Sequence, residues 1–245
     1  MLKTRITLAA LFLLLITAPQ SAQAQKASLT RPQTKEAEQK LADLGYWTGA
    51  IDGVVDPATR AALIAFQKWE GRALTGRLTI DELEAIRNAA APMPRDGNYA
   101  HVEVDIDRQV LLLVDEKERV RVLPVSTGTE KPFVYDGQTS IAYTPRGRFV
   151  VYEKGVGWED NLPGMYYANY ISGGIAIHGS NNVPVQPASH GCIRIPVFAA
   201  REVSKLLKLG TIVLVYDKVS FVSAKSWVEN PKLKEAALAN SALHY

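Results

Sequence analysis

The 245-residue chain contains one cysteine, Cys192, which therefore has no partner for an intramolecular disulfide. A disulfide-stapled scaffold is excluded, and the fold depends on its hydrophobic core. The net charge is also small, because 28 basic and 25 acidic residues give a formal charge of only +3. Such a balance gives no argument for nucleic-acid binding. Long apolar runs are limited to residues 6–18, which are too few to span a bilayer comfortably.

That apolar run has the features of a signal peptide. Lys3 and Arg5 precede it, and the sequence AQA at residues 22–24 offers a small-x-small cleavage site. We therefore expect residues 1–24 to be removed on export to the periplasm or cell wall; an uncleaved anchor is the alternative. Cleavage lowers the formal charge to +1, since it removes two basic residues and no acidic one. No membrane span is expected in the mature chain.

Export limits the roles that the unpaired thiol of Cys192 can have. In an oxidising compartment an unpaired thiol is either intermolecular or reactive. Two of the four histidines, His178 and His190, lie near it in the stretch IAIHGSNNVPVQPASHGCIRIP at residues 175–196. A thiol becomes a useful nucleophile when an imidazole takes its proton. We predict that Cys192 is such a nucleophile. The alternatives are a small buried apolar residue and a zinc site formed by Cys192 with the two histidines.

The same stretch predicts how these side chains meet. If the segment around the cysteine is extended, Ile193 and Ile195 point to one side, and the opposite side carries His190, Cys192 and Arg194. Upstream, residues 173–177 read as a buried strand that ends at His178. The loop between the two segments contains two prolines and is expected to fold back. We therefore expect the two halves of the stretch to meet in space.

The N-terminal part has the sequence pattern of a small helical module. Three short helices are predicted over residues 33–91, the second of them with Asp56 as its N-cap and Pro57 at its first position. Residues 92–98 are rich in proline and glycine and predict a linker.

Beyond residue 98 the pattern changes to strands. Residues 101–106 alternate in polarity, residues 109–114 form an apolar run, and a helix is predicted over residues 197–209. We predict a mainly β domain over residues 99–217 with one or two helices. Residues 218–245 form an extension of unknown role, for which a packed segment and a flexible tail fit equally well.

Two parts of the chain resemble known families. His178 followed by SHGCIR at residues 189–194 resembles the active-site signature of the L,D-transpeptidases with a YkuD-type catalytic domain. The segments STG at residues 126–128 and TPRGRF at residues 144–149 fall where that family carries its STG and TPxGxF segments. The helical module, with the pattern LxxLGYWTGxIDGVxDxxTRxALxxFQ, resembles the peptidoglycan-binding domain type 1. The resemblance implies a compact β-sandwich-like or barrel-like catalytic domain.

It also implies roles for individual residues. Cys192 would attack an amide carbonyl and form a thioester, with His178 as the general base and the carbonyl of Gly179 orienting it. His190 would shape the pocket, and the backbone amides around Gly191 would form an oxyanion hole. Arg194 and Ser189 would contact the substrate, while a structural ion pair is the alternative role for Arg194. Neither a cofactor nor a metal is implied.

The implied substrate is peptidoglycan. The donor would be a tetrapeptide stem, cut between the L-centre of its third residue and the terminal D-Ala, and the acceptor an amine of a neighbouring stem. Competing readings are hydrolysis by an L,D-carboxypeptidase or endopeptidase, attachment of a lipoprotein to the wall, and a wall-binding protein without activity. The expected context is cell wall biogenesis and cell shape. The helical module would hold the enzyme on its polymer, or alternatively gate the cleft.

Overall fold

The computed structural model describes residues 29–161 and 164–220. The predicted signal peptide at residues 1–24 lies outside these residues, as does the predicted extension beyond Ser220. In the described part of the chain, none of the helices combines the length and apolar character that a membrane span needs. A group of three helices is followed by a larger domain of strands, which confirms the predicted fold class.

The three helices of the N-terminal module are α1 (Arg31–Asp43), α2 (Pro57–Trp69) and α3 (Ile80–Asn88). Each follows a residue whose side-chain oxygen accepts a backbone N–H of the first turn, namely Thr30, Asp56 and Thr79. These bonds satisfy amides that have no partner within the helix. Asp56 is confirmed as an N-cap. α1 begins two positions before residue 33 because Thr30 forms a capping box with Gln33.

A buried carboxylate holds the loop between α1 and α2. Oε2 of Glu38 accepts hydrogen bonds from the backbone N–H groups of Asp52 and Gly53, at 3.0 and 2.8 Å. Its Oε1 accepts a bond from the hydroxyl of Thr59 at 2.9 Å. A fully buried carboxylate is tolerated only when its oxygens are bonded in this way. The turn at Asp52-Gly53 is therefore fixed from inside the module.

The larger domain contains two sheets. The first has five strands, in spatial order β3 (Val120–Pro124), β2 (Val110–Val114), β1 (His101–Asp105), β11 (Ile212–Tyr216) and β6 (Gly147–Val150). The second has four, in spatial order β10 (Ile193–Pro196), β9 (Ile175–Ser180), β8 (Tyr166–Ser172) and β7 (Glu153–Lys154). A separate hairpin is formed by β4 (Pro132–Tyr135) and β5 (Gln138–Ile141), and one helix, α4 (Val197–Leu206), follows β10.

The main hydrophobic core lies between the two sheets. Because side chains alternate along a strand, Leu111 and Leu113 of β2 face inward and belong to one buried cluster with Ile177 and Ile193 of the second sheet. α4 joins the same cluster through Ala199, Ala200 and Val203. This is the predicted sandwich.

The two sheets are also connected along their edges. On one side, Ser126, just beyond β3, exchanges two backbone hydrogen bonds of 3.1 Å with Arg194 of β10. On the other side the chain leaves the first sheet after β6 and enters the second, where the N–H of Tyr152 bonds the carbonyl of Tyr170 at 3.0 Å. The sandwich therefore has the barrel-like closure that the resemblance implied.

The helical module packs on the outer face of the first sheet. The sheet residues facing away from the main core share a second buried cluster with the helices, and this cluster includes Val110, Leu112, Val114 and Val122 together with Leu41, Leu63, Phe66 and Leu83. Residues 45–47 pair with β3, where the N–H of Val122 bonds the carbonyl of Gly45 at 2.8 Å. Asp96, within the predicted linker, is buried and its N–H bonds Glu103 at 2.8 Å. The module thus shares a core with the larger domain.

Leu112→Ala tests this shared core. Truncation of the buried leucine is expected to lower the free energy of unfolding by about 2–5 kcal/mol, because it leaves a cavity between the sheet and the helices. Helix and sheet signals should still be lost in one transition, which denaturation followed by far-UV circular dichroism and by tryptophan fluorescence can check. Leu206→Ala, at a position that is 51% exposed, is the matched control and should change stability little. Two separate transitions would contradict a shared core.

Candidate active site

The candidate site lies on strands β9 and β10, which both belong to the stretch at residues 175–196. β9 and β10 pair in parallel, with Ile193 opposite Ile177 and Arg194 opposite His178. Ile193 and Ile195 enter the main core, so Arg194 and His178 face the opposite side of the sheet. Cys192, one residue before β10, continues this alternation and packs against Ala176. The structure thus brings Cys192, His178 and Arg194 to one face.

His178 is buried and carries one defined hydrogen bond. Its Nδ1 lies 2.9 Å from the carbonyl oxygen of Gly179. Since a carbonyl only accepts, Nδ1 carries the proton and Nε2 keeps its lone pair. Burial is the main cause that lowers the pKa of His178, and the charge of Arg194 acts in the same direction, against the bond to Gly179. His178 is therefore a neutral base at neutral pH.

Gly179 has no room for a side chain. A Cβ atom built there would lie 2.4 Å from the Cβ of Ala200 in α4. Glycine at this position lets α4 pack closely on β9. That packing holds the Gly179 carbonyl where the imidazole needs it.

Cys192 is half-buried and protonated at neutral pH. Burial raises the pKa of the thiol, although a backbone hydrogen bond from Ala176 and the charge of Arg194 act in the opposite direction. The thiol donates to the carbonyl of Gly174 at 3.6 Å. A protonated thiol and a neutral imidazole on one face require proton transfer at the moment of attack.

The loop before Cys192 is held by hydroxyl groups. The Ser189 hydroxyl donates to the Cys192 carbonyl at 2.6 Å and accepts from the Gly191 N–H at 3.0 Å. Thr144 donates to the Gly191 carbonyl at 2.6 Å and accepts from the Gly128 N–H at 2.9 Å. The residues of the STG and TPRGRF segments therefore meet at this loop.

Two expectations change with this geometry. We expected Ser189 to contact the substrate, but it is buried and its hydroxyl is used inside the loop. We expected the Gly191 amide to help bind an oxyanion, but that amide donates to Ser189. Gly191 instead adopts a backbone conformation that disfavours any other residue. Its φ is +148°, and a Cβ there would lie 2.8 Å from the carbonyl oxygen of Tyr143.

His190 lies outside the buried face. It is exposed and stacks on Phe133 of the β4–β5 hairpin, with ring centroids 4.3 Å apart and an interplanar angle of 3°. The hairpin also exposes Val134 and Tyr135, at 71% and 73%. Sequence reasoning missed the contact of His190 with Phe133, because Phe133 comes from a strand far from the cysteine in sequence. The His190 ring thus forms an exposed aromatic pair with the hairpin, two residues before Cys192.

Arg194 is half-buried beside His178. Within residues 29–161 and 164–220, no ion pair engages its guanidinium. The alternative of a structural ion pair is therefore not seen among the described residues. A guanidinium in this position suits a carboxylate ligand.

The zinc alternative has no matching geometry in the described part of the chain. No group of three or more His, Cys, Asp or Glu side chains there is placed to hold a metal ion. His178 and His190 belong to different surroundings, one buried in β9 and the other stacked on the hairpin.

Two parts of the chain match known protein families. Residues 99–215 match the YkuD family, the L,D-transpeptidase catalytic domain, and residues 30–86 match the peptidoglycan binding domain PG_binding_1. A search of the curated proteins gave no match.

Among solved structures, an L,D-transpeptidase from Xylanimonas cellulosilytica is 36% identical, with 81% of this chain and 100% of that chain covered and a TM-score of 0.72. An L,D-transpeptidase from Stackebrandtia nassauensis is 22% identical over 75% of this chain and 90% of that chain, with a TM-score of 0.44. The catalytic domain of an Enterococcus faecium L,D-transpeptidase is 23% identical over 49% of this chain and 98% of that chain, with a TM-score of 0.38. On the first of these matches, the chain belongs to the L,D-transpeptidases with a YkuD catalytic domain.

Proposed function

We propose that the protein is an exported transpeptidase that cleaves the tetrapeptide stem of peptidoglycan and passes the acyl group to an amine of a neighbouring stem. One observation carries the proposal: the Cys192 thiol and a neutral, Gly179-oriented His178 share one face of the second sheet. This is the arrangement that acyl transfer through a thioester needs.

The first half-reaction forms the thioester. Nε2 of His178 takes the thiol proton while Sγ of Cys192 attacks the carbonyl carbon between the third residue and D-Ala. The protonated His178 then gives its proton to the leaving amine, and free D-Ala departs. The amides of His190 and Cys192 are the remaining candidates for stabilising the oxyanion, since the Gly191 amide is already bonded.

The second half-reaction regenerates the thiol. An acceptor amine attacks the thioester carbonyl and loses a proton to His178, which returns it to the departing sulfur of Cys192. We propose that Arg194, which lies opposite His178 on the same face, binds a carboxylate of the stem. Water in place of the amine gives hydrolysis, and an amine on a lipoprotein gives attachment of that protein to the wall.

Mass spectrometry of muropeptides incubated with the mature protein tests the proposal. Cross-linked dimers support transfer between stems. Tripeptide stems alone would instead assign the protein to the L,D-carboxypeptidases.

Export is part of the same proposal, supported by residues 1–24. The mass of the protein recovered from the periplasm tests it. A product that begins at Gln25 supports cleavage, whereas a full-length, membrane-bound product would overturn it.

The helical module is proposed to hold the enzyme on peptidoglycan. It packs on the outer face of the first sheet, whereas Cys192 lies on the outer face of the second. Two sheets therefore separate the module from the thiol, which supports anchoring over a gate across the cleft.

Cys192→Ala is expected to abolish thioester formation without unfolding the protein, because the thiol makes no disulfide and its hydrogen bonds to the backbone of Gly174 and Ala176 are weak ones to sulfur. Intact-protein mass spectrometry with a tetrapeptide donor checks the acyl-enzyme, and circular dichroism checks the fold. Turnover by a folded Cys192→Ala protein would remove the nucleophile from the proposal.

His178→Gln and His190→Gln are expected to differ. Loss of the base should slow acylation by roughly 10²–10⁴-fold. The His190 variant should lose far less, because His190 is exposed and contributes a ring surface against Phe133. Single-turnover acylation rates of the two variants decide this, and equal losses would mean that their roles are exchanged.

The pH dependence of acylation follows from the two pKa shifts. The pKa of His178 lies below its ordinary 6.5, so the acylation rate should fall only as acid protonates the imidazole. The pKa of Cys192 lies above its ordinary 9.0, so a base-assisted attack should be flat from about pH 7 to about pH 9. In His178→Gln the residual rate should follow thiolate and rise through that range. A wild-type rate that rises in the same way would contradict general-base catalysis by His178.

A further inference from the structure

Lys68 of α2 is a buried amine that the proposed mechanism does not use. It is 6% exposed, although it belongs to the helical module. Its Nζ donates to the carbonyl of Gln109 at 3.1 Å and to the carbonyl of Val125 at 2.7 Å, both in the larger domain. Burial lowers the pKa of Lys68 to about 7. The neutral amine still has two N–H groups, enough for both carbonyls, so the contact survives loss of the proton.

An amine is a costly group for this position. An apolar side chain of similar length would pack between helix and sheet without losing hydration. Lysine therefore needs a role that an apolar residue lacks, and its two bonds locate that role at the backbone of Gln109 and Val125.

Gln109 connects Lys68 to the STG segment through the hydrogen bonds of its side chain with Thr127. It is buried just before β2, with a φ of +56°. Its side-chain amide donates to the hydroxyl of Thr127 at 2.7 Å and to the carbonyl of Ile106 at 2.8 Å, and accepts from the N–H of Thr127 at 3.0 Å. The position of Thr127 is thus tied to the residue that Lys68 holds.

Thr127 in turn holds the loop before the nucleophile. Its carbonyl accepts the N–H groups of Ala188 and Ser189, at 3.0 and 2.9 Å. Ser189 then bonds the Cys192 carbonyl and the Gly191 N–H. Lys68, Gln109, Thr127 and Ser189 form an unbroken relay from the helical module to Cys192.

We propose that Lys68 is a positioning residue, through which the helical module sets the backbone of the Cys192 loop for attack on a carbonyl. The inference rests on the proposed function, since it concerns the amides that would stabilise the oxyanion. Displacement of such groups by a fraction of an ångström weakens transition-state stabilisation while leaving the thiol in place.

Two electrophiles separate positioning from a structural role. p-Nitrophenyl acetate acylates a thiol through an oxyanion, whereas iodoacetamide alkylates it without one. Modification of Cys192 in the full mature chain is followed by peptide mass spectrometry. Lys68→Met, which keeps length and removes the donors, should slow acetylation by about 10- to 100-fold and change alkylation less than about twofold. Lys68→Arg, which keeps a donor, should recover part of the loss.

Leu63→Ala is the matched control. Leu63 is buried in the same helix, within the apolar cluster that joins the module to the first sheet, so its truncation destabilises the module without removing a hydrogen bond of the relay. It should leave the ratio of acetylation to alkylation unchanged. Equal slowing of both reactions in Lys68→Met, or the same changed ratio in Leu63→Ala, would overturn the proposal.

A double-mutant cycle with Gln109→Met tests the relay itself. If Lys68 acts through Gln109, the double variant should lose little more acetylation than the worse single variant. Additive losses would overturn the relay. Gln109→Met also provides the changed ratio by itself should Lys68→Met not fold. No stem peptide is used, so failure of the tetrapeptide reaction alongside normal acetylation counts against the proposed function alone.

Discussion

Strand β10 is hydrogen-bonded along both edges, and the position of the thiol depends on this. β9 pairs with it in parallel, and Ser126 bonds Arg194 twice from the other side. A slip of one residue would turn Ile193 and Ile195 outward and drive Cys192 into the core. Backbone pairing and apolar alternation therefore select the same register. The reactive face exists because the opposite face of the strand is buried.

The electrostatics of the site follow from the use of a carbonyl in place of a carboxylate. The Gly179 carbonyl fixes the tautomer of His178 but carries no full charge, so it opposes the effect of burial only weakly. A carboxylate there would favour the imidazolium. The result is a neutral base beside a protonated thiol. The close packing of α4 on Gly179 holds the backbone of Gly179, and with it this carbonyl, in position beside the imidazole.

Much of the fold and the reactive pair could be predicted because the signals are local. The alternation around Cys192, the N-cap at Asp56 and the isolation of one thiol each depend on neighbouring residues or on composition. Other features depend on tertiary contacts. Lys68 meets the Gln109 carbonyl across 41 positions, and the stacking of His190 on Phe133 requires the β4–β5 hairpin. Ser189 also looks like a substrate contact until burial shows its hydroxyl turned into the loop.

The shared core determines two features of the helical module: its contact with the first sheet and its position relative to Cys192. It supports the first sheet from outside, where Leu112 and Val122 meet the helices. It therefore faces away from Cys192, with two sheets about 10 Å apart between them. Under the proposed anchoring role, a glycan strand held by the module would lie on the side of the domain away from Cys192. The proposed transfer would then join stems that belong to two different strands.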